Sequence, residues 1–286
     1  MYLFKSFIRA QSRYNPRATA ILRDHIEVLS GVPTLFDSVK DLIVNKRADP
    51  NVQENSFGHT LLMHICFLGR DEIEGSRHDD LLKTFKFLLG LDDIKVDTVN
   101  KFGFTFLNMV TQVRDPTFLA ILLDKNLISR EIINTLDDSD QTELHRACFD
   151  HNTPIAIIEL LLNAGANPNL KTINGGYTPL HMAIRSYTYG DVPRLLNILG
   201  VFFERGDVDP NIQDNNGRTL LHAAAYAMCD NSICTMILEN GATQNTRDNR
   251  GNNPLEAAQS VNNTGANFAI TTYNKPFRNG RNVRFG

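Results

Sequence analysis

Three heptapeptides decide the fold of this chain: TELHRAC at 142–148, TPLHMAI at 178–184 and TLLHAAA at 219–225. Weaker copies read TLLMHIC at 60–66, TFLNMVT at 105–111 and NPLEAAQ at 253–259. We call the first residue of each copy its anchor, and successive anchors are 34 to 45 residues apart. Self-similarity at such a spacing is typical of a protein built from stacked structural repeats.

The residues around each anchor predict a tight turn followed by a helix. A glycine lies two residues before every anchor except Thr142, where Asp140 takes that place, and Asp or Asn lies five residues before every anchor except Thr178, where Ile173 does. Glycine takes positive φ without a steric penalty, and Asp and Asn favour turns. A threonine anchor can cap the helix that follows, and Pro179 and Pro254 suit a first helical turn.

A second apolar run follows each of the first five anchors, at 81–89, 118–123, 155–162, 195–203 and 233–238. Four turn segments accompany these runs: RADPN at 47–51, GANPN at 165–169, GDVDPN at 206–211 and GATQN at 241–245. A single helix pair cannot bury such a run alone, so we expect the pairs to stack into one continuous core.

From about residue 34 to 260 the sequence resembles the ankyrin-repeat family, whose signature is DxxGxTPLHxAA followed by a leucine-rich helix and GADPN. The resemblance implies an all-α ankyrin-repeat solenoid of helix-turn-helix units with hairpin-like finger loops, about six repeats in number. We expect an N-terminal helical cap at 1–33, the ankyrin-repeat domain at 34–260 and a basic C-terminal tail at 261–286. Residues 69–79 and 186–193 lengthen two loops between helices.

Composition and charge narrow the classes of partner. The net charge is −3, but nine unopposed basic residues lie at the two ends, which leaves 20 basic against 32 acidic residues over 24–256. Because binding to a phosphate backbone requires a basic stripe, we expect no nucleic-acid partner. No apolar run reaches the roughly 18 residues that span a bilayer. We therefore predict a cytoplasmic protein that does not bind membranes, and a monomer.

The histidines and cysteines are predicted to be structural. His145, His181 and His222 occupy one repeat position, three residues after the anchor, and the ankyrin resemblance implies that this side chain ties neighbouring turns together. His64 is displaced by one residue, which leaves its role open. Cys66 and Cys148 fall where Ala225 lies in another repeat, so we interpret them as small buried hydrophobes. Cys229 and Cys234 fit no closed zinc site.

No phosphate loop, zinc-protease or serine-hydrolase motif is present, so we predict no catalytic residue, metal or cofactor. The leading hypothesis is a non-catalytic scaffold or adaptor that binds a protein partner. Alternatives are activity or targeting in the ends outside the repeats, and the ankyrin module of a larger assembly. The irregular repeats also look like those of host-directed effectors of intracellular bacteria and large viruses, which would act as virulence factors in the host cytosol.

For each end of the chain, two interpretations remain open. Residues 2–14, YLFKSFIRAQSRY, form either the outer face of a cap or a basic amphipathic helix that targets a membrane surface or an organelle. The tail after Gln259 is either a frayed end or a basic peptide that docks on the acidic body or on a partner.

The ankyrin resemblance places the partner on a concave side formed by the finger tips and the first helices. The predicted contact positions are one, three or four residues before an anchor and seven residues after it. These positions hold Phe57, His59, Lys101, Phe102, Phe104, Phe149, Tyr177, Arg185, Arg218, Tyr226 and Arg250. Aromatic and arginine side chains are those most often found as binding hot spots.

Overall fold

The computed structural model describes residues 14–25, 35–70, 75–187 and 191–273. The chain forms two compact units, Met1–Ser129 and Arg130–Gly286, which we call unit 1 and unit 2. Within the described ranges the secondary structure is helical, and only two isolated β-bridges occur, Gln53–Thr60 and Val99–Thr105.

Unit 1 contains a helical N-terminal part and two helix pairs. Its helices are α1 Pro16–His25, α2 Leu35–Lys40, α3 Leu61–Gly69, α4 Ser76–Leu88, α5 Phe106–Thr111 and α6 Pro116–Asp124. A π-helical turn, Asp41–Asn45, continues α2. The apolar residues Leu22, Leu35 and Val39 of this part are buried.

Unit 2 contains one short helix and four helix pairs. Its helices are α7 Arg130–Ile133, α8 Glu143–Phe149, α9 Ile155–Asn163, α10 Pro179–Arg185, α11 Val192–Arg205, α12 Leu220–Tyr226, α13 Asn231–Glu239, α14 Pro254–Ser260 and α15 Thr264–Thr272. In both units the first helix of a pair follows an anchor, and the second carries the apolar run.

The anchors start the first helices as the sequence predicts. The hydroxyl of Thr142 accepts a hydrogen bond from the amide of His145, and Thr178 does the same for His181. Pro179 and Pro254 lie in the first turns of α10 and α14. The first helices therefore begin at fixed points, and the residues before them form the fingers.

The second helices bury one apolar face each. Ile157, Ile158, Leu161 and Leu162 of α9 are all buried, and they recur at the spacing of three to four residues that keeps side chains on one side of a helix. Within unit 2, α9 packs on α11 and α11 on α13, so each apolar face is covered by its neighbour.

The sixth anchor is also followed by a second helix, which the sequence analysis did not predict. Asn263 caps α15, and Ala266, Ala269 and Ile270 of that helix are buried. The last helix pair therefore extends beyond residue 260, the expected end of the repeats. Its small residues gave too weak an apolar pattern to be recognised. The amphipathic segment before residue 14 and the tail from residue 274 onward lie outside the described residues.

Candidate binding surface

The fingers are held together by side-chain acceptors that bind backbone amides. The carboxylate of Asp214 accepts bonds from the amides of Asn216 and Arg218, at 2.8 and 2.9 Å. In two fingers the acceptor lies six residues before the anchor instead of five. Glu54 accepts from the amides of Phe57 and His59, both at 2.8 Å, in place of the predicted Asn55. Thr172 accepts from the amide of Tyr177 at 3.1 Å, which explains how the finger tolerates Ile173.

Asp140 replaces the turn glycine without disrupting its finger. Its φ is 62°, in the left-handed region that the glycines occupy. Its carboxylate accepts bonds from the amides of Ile173 and Asn174, both at 2.7 Å, in the next finger. Desolvation opposes ionisation of Asp140, but these bonds outweigh it and lower the pKa of the carboxyl group.

Successive fingers within a unit are joined through their backbones. In unit 2 the amide of Asn215 donates to the carbonyl of Gly175 at 3.0 Å, and the amide of Asn249 donates to that of Asn216 at 2.9 Å. In unit 1 the amide of Lys101 donates to the carbonyl of Phe57 at 2.9 Å. These backbone groups are committed to the fold and are not available to a partner.

The three equivalent histidines tie each repeat to the next finger, which confirms the predicted structural role. Their Nδ1 atoms lie 2.8 Å from the hydroxyls of Thr142, Thr178 and Thr219. Their Nε2 atoms lie within 3.2 Å of the carbonyl oxygens of Tyr177, Arg218 and Asn252, each one residue before the next anchor. Burial lowers the pKa of all three, that of His181 to about 4, so the neutral ring is the form that fits.

His64 does not share this role. Thr60 caps the amide of Met63, so His64 lies one position further along α3 than its counterparts. In the described parts of the chain, neither of its ring nitrogens has a hydrogen-bond partner. Burial, followed by the nearby His59, lowers the pKa of His64 to about 4.

The cysteines are buried, free thiols. Burial raises the pKa of Cys66, Cys148 and Cys229, and raises that of Cys234 to about 12. A thiol with such a pKa stays protonated at neutral pH and packs as a small hydrophobe. The interpretation of Cys66 and Cys148 as core residues is confirmed.

We use the term finger-side surface for the exposed and half-buried side chains of the fingers and first helices that were predicted as contact positions. In unit 1 it centres on Phe57 and Phe102, which are 47% and 63% exposed and whose ring centroids lie 6.1 Å apart. Lys101 is exposed beside them, and its ammonium group bonds the carbonyl of Asn55. Phe104 is half-buried. Phe102 is therefore not covered by a neighbouring insert in the described structure.

In unit 2 the finger-side surface is built from two stacked pairs. The guanidinium carbon of Arg185 lies 4.2 Å from the ring centroid of Tyr177, and Arg185 donates to the Tyr177 hydroxyl at 2.8 Å. The guanidinium carbon of Arg218 lies 4.4 Å from the ring centroid of Tyr226. Each pair joins the residue before an anchor to the residue seven after it. Phe149, at that latter position in α8, and Arg250 are exposed as well.

One predicted surface residue, His59, is not at the surface. Its side chain is only 5% exposed, because it packs against the rings of Phe57 and Phe67, with centroids 5.6 and 5.9 Å away. Phe67, seven residues after Thr60, is instead exposed, and Arg70 stacks over it at 5.5 Å. The same spacing rule that gave Phe149, Arg185 and Tyr226 would have found Phe67. Ile173, at 74%, is a further exposed finger residue that the sequence analysis missed.

Comparison with known sequences agrees with this geometry. The family described as Ankyrin repeat matches residues 139–173 and 216–249. The putative ankyrin repeat protein FPV031 of fowlpox virus is 35% identical over 111 residues, or 37% of this chain and 30% of that protein. Human transient receptor potential cation channel subfamily A member 1 is 31% identical over 110 residues, or 38% of this chain and 9% of that protein. Palmitoyltransferase AKR1 of Kluyveromyces lactis is 31% identical over 107 residues, or 36% of this chain and 13% of that protein. The chain thus spans only a minor part of each of these relatives.

Solved structures show the same fold. The ankyrin repeat domain of Bcl-3, described as a member of the IkappaB protein family, superimposes with a TM-score of 0.64 at 19% identity, covering 85% of this chain and 96% of that one. The ankyrin repeat protein EF0377 gives a TM-score of 0.58 at 22% identity, covering 74% and 97%. Tied fingers and stacked helix pairs define a repeat protein. The chain is an ankyrin-repeat protein, and the predicted all-α fold is confirmed.

None of the helices within the described ranges has both the length and the apolar character needed to cross a bilayer.

Proposed function

We propose that this chain is a non-catalytic scaffold or adaptor that binds a protein partner through its finger-side surface. One observation carries the proposal: the polar groups of the fingers are used by the fold, while exposed or half-buried aromatic and arginine side chains recur at equivalent positions of successive repeats. In unit 2 these are the pairs Tyr177–Arg185 and Arg218–Tyr226. In unit 1 they are Phe57 and Phe102.

Exposed aromatic side chains next to one another are costly in a surface that meets only water, and such patches mark sites of association. Ankyrin repeats are in general protein-interaction modules, so the fold agrees with this use of the surface. The proposal retains ten of the eleven predicted contact residues and omits His59, because that ring is buried. The proposal includes three further points: the partner is a protein, the chain is a monomer, and it acts in the cytoplasm.

The test uses the immobilised full chain as bait in extracts of the cells that express it. Wild type, Phe102→Ala, Tyr177→Ala and Glu159→Lys baits are compared, since Glu159 is exposed on α9, a second helix. The proposal expects at least one protein that wild type and Glu159→Lys retain and that one of the alanine variants loses. It fails if every captured protein is retained equally by all four baits.

A second candidate is an effector that acts in the cytosol of a host cell. The observation that favours it is the similarity to the fowlpox virus protein FPV031, 35% identical over 111 residues. Capture from host-cell extract, but not from extract of the source organism, would support this candidate. The reverse pattern would exclude it.

A further inference from the structure

The arginines of the two arginine–tyrosine pairs, Arg185 and Arg218, differ from three other arginines of unit 2, whose charge is neutralised by a carboxylate. Arg146, Arg205 and Arg247 each pair with a carboxylate, of Asp137, Asp207 and Glu256 respectively. Arg185 and Arg218 have no carboxylate partner among the described residues and stack on tyrosine rings instead. A ring face attracts the guanidinium but does not neutralise its charge.

The hydrogen-bonding capacity of these two guanidinium groups is largely unused. A guanidinium carries five N–H donors, and the side chain of Arg185 uses one of its nitrogens, Nη1, for the Tyr177 hydroxyl. The Nε of Arg218 is buried and has no partner in the described structure. Stacking on tyrosine fixes the plane of each group, so its remaining donors are held in place before a ligand arrives.

The acidic side chains of the two adjoining fingers, Asp214 and Asp248, are hydrogen-bonded within those fingers. Asp214 binds the amides of Asn216 and Arg218. Asp248 binds the amides of Arg250 and Asn252 and accepts a bond from the Tyr226 hydroxyl at 2.8 Å. Burial by itself would raise the pKa of Asp248, but these hydrogen bonds lower it. The carboxylate of Asp248 is therefore ionised and bound within its own repeat. The two guanidinium groups are therefore left without an ion-pair partner among the described residues.

We propose that the unit 2 part of the finger-side surface binds a protein segment that carries glutamate or aspartate side chains, with Arg185 and Arg218 as its carboxylate ligands. Arg185 ends α10 and Arg218 lies two residues before the start of α12, and these two helices pack on each other. Directly packed helices lie about 8–10 Å apart. In an extended peptide, residues i and i+2 face the same side about 7 Å apart. An extended segment with an acidic residue at every second position therefore carries its carboxylates on one face, at a spacing comparable to the distance between the two packed helices, while the intervening side chains point away from this patch.

The acidic net charge of the chain between its two ends favours binding of a short acidic peptide over binding of a nucleic acid. The chain between residues 24 and 256 has 20 basic and 32 acidic residues, so a long phosphate backbone would meet an acidic surface beyond this patch. A short peptide segment touches only the patch itself. The planar fork of arginine fits a carboxylate through two parallel hydrogen bonds.

The probe is a fluorescein-labelled peptide of alternating glutamate and tyrosine, titrated with the full chain and followed by fluorescence anisotropy. A peptide with glutamine in place of every glutamate is the matched control. We expect the glutamate peptide to bind the wild type, more weakly at high salt, and the double variant Arg185→Gln/Arg218→Gln to bind it at least about tenfold more weakly. Arg185→Lys keeps the charge but loses the planar fork, so it should weaken binding several-fold.

Arg205→Gln, which removes the same charge from the second helix α11, should change the affinity less than about twofold. Circular dichroism melting verifies that each variant is folded. The inference is overturned if the glutamine peptide binds as tightly as the glutamate peptide, or if the folded double variant binds like the wild type. Tighter binding of single-stranded oligothymidylate than of the glutamate peptide would overturn it in favour of nucleic acid.

This inference rests on the proposed function, and the two can fail separately. If the glutamate peptide does not bind but Tyr177→Ala still loses a captured partner, only the acidic chemistry is wrong. If neither Phe102→Ala nor Tyr177→Ala loses any captured protein, the proposed function fails, whatever the peptide does.

Discussion

The Nε2 atom of His222 lies 3.0 Å from the carbonyl oxygen of Asn252, in the finger of the next repeat. His181 makes the same bond to Arg218 at 3.2 Å. Through these bonds a first helix holds the base of the next finger, and thereby the position of the side chains that the finger displays. The binding surface consequently depends on buried residues that do not themselves touch a partner.

Removing one of these bonds should weaken the fold without abolishing the recognition. His181→Ala removes a buried ring and one of the two hydrogen bonds to the Arg218 carbonyl, which also accepts from the amide of Asp214. We expect a loss of about 1–3 kcal/mol in unfolding free energy, measured by denaturant titration. His151→Ala is the control, since that ring makes only a partly exposed pair with Asp191 and should cost little. An unchanged stability together with complete loss of partner binding would mean that His181 is a ligand rather than a tie.

His64 should behave in the opposite way. Because both of its ring nitrogens lack partners in the described structure, replacing the ring with leucine removes two unsatisfied polar atoms and keeps the packing. We expect His64→Leu to leave thermal stability unchanged or raise it, whereas His145→Leu lowers it. A comparable loss of melting temperature in both variants would show that His64 has a bonding role.

Acidification should unfold the protein through its buried histidines. Burial lowers the pKa of His181 and His64 to about 4 and also lowers that of His145 and His222. An unfolded histidine titrates near 6.5. The folded state therefore holds its full stability above about pH 6.5 and loses it as the pH falls toward 4. The denaturant concentration at the midpoint of unfolding, measured from pH 8 to 4.5, should decrease as the pH falls below about 6.5. A flat profile would contradict the neutral, buried state of these rings.

Gly217 should tolerate no side chain, for two separable reasons. Its φ is +75°, and a Cβ there would lie 2.6 Å from Oδ1 and 2.9 Å from the amide nitrogen of Asn249. Gly251 has a similar φ of +86° but open space around it. Both valine variants should lower the melting temperature through backbone strain, and Gly217→Val should cost about 1–3 kcal/mol more because the next finger must move. Equal losses would mean that the finger contact does not matter.

The sequence predicted the features that depend on local chemistry. Thr142 caps its helix, Pro254 lies in a first turn, and His181 ties two repeats, because each role follows from the residue type and its position relative to an anchor. The second helices were equally easy to predict from their apolar runs, since burial of one face follows from helical spacing. Among the second helices of the described chain, only α15 was missed, because its buried face consists mainly of small residues.

Features that depend on neighbouring repeats were not predictable. Glu54 replaces Asn55 as the acceptor of the first finger because its longer side chain reaches two amides from one position earlier. Asp140 tolerates positive φ because Ile173 and Asn174 satisfy its carboxylate. In the candidate surface, His59 is buried by Phe57 and Phe67, a packing relation that spacing from the anchor does not contain.

The most direct test of the account is calorimetric titration of a captured partner with surface variants. Phe102→Ala and Tyr177→Ala should each weaken binding by about 1–3 kcal/mol with the melting temperature preserved. Two controls lie on second helices: Phe268→Ala on α15, which removes an equally exposed ring, and the charge reversal Glu159→Lys on α9. Both should change the affinity by less than about 0.5 kcal/mol. A larger loss from Phe268→Ala or Glu159→Lys than from Phe102→Ala and Tyr177→Ala would place the partner away from the fingers and contradict the central claim.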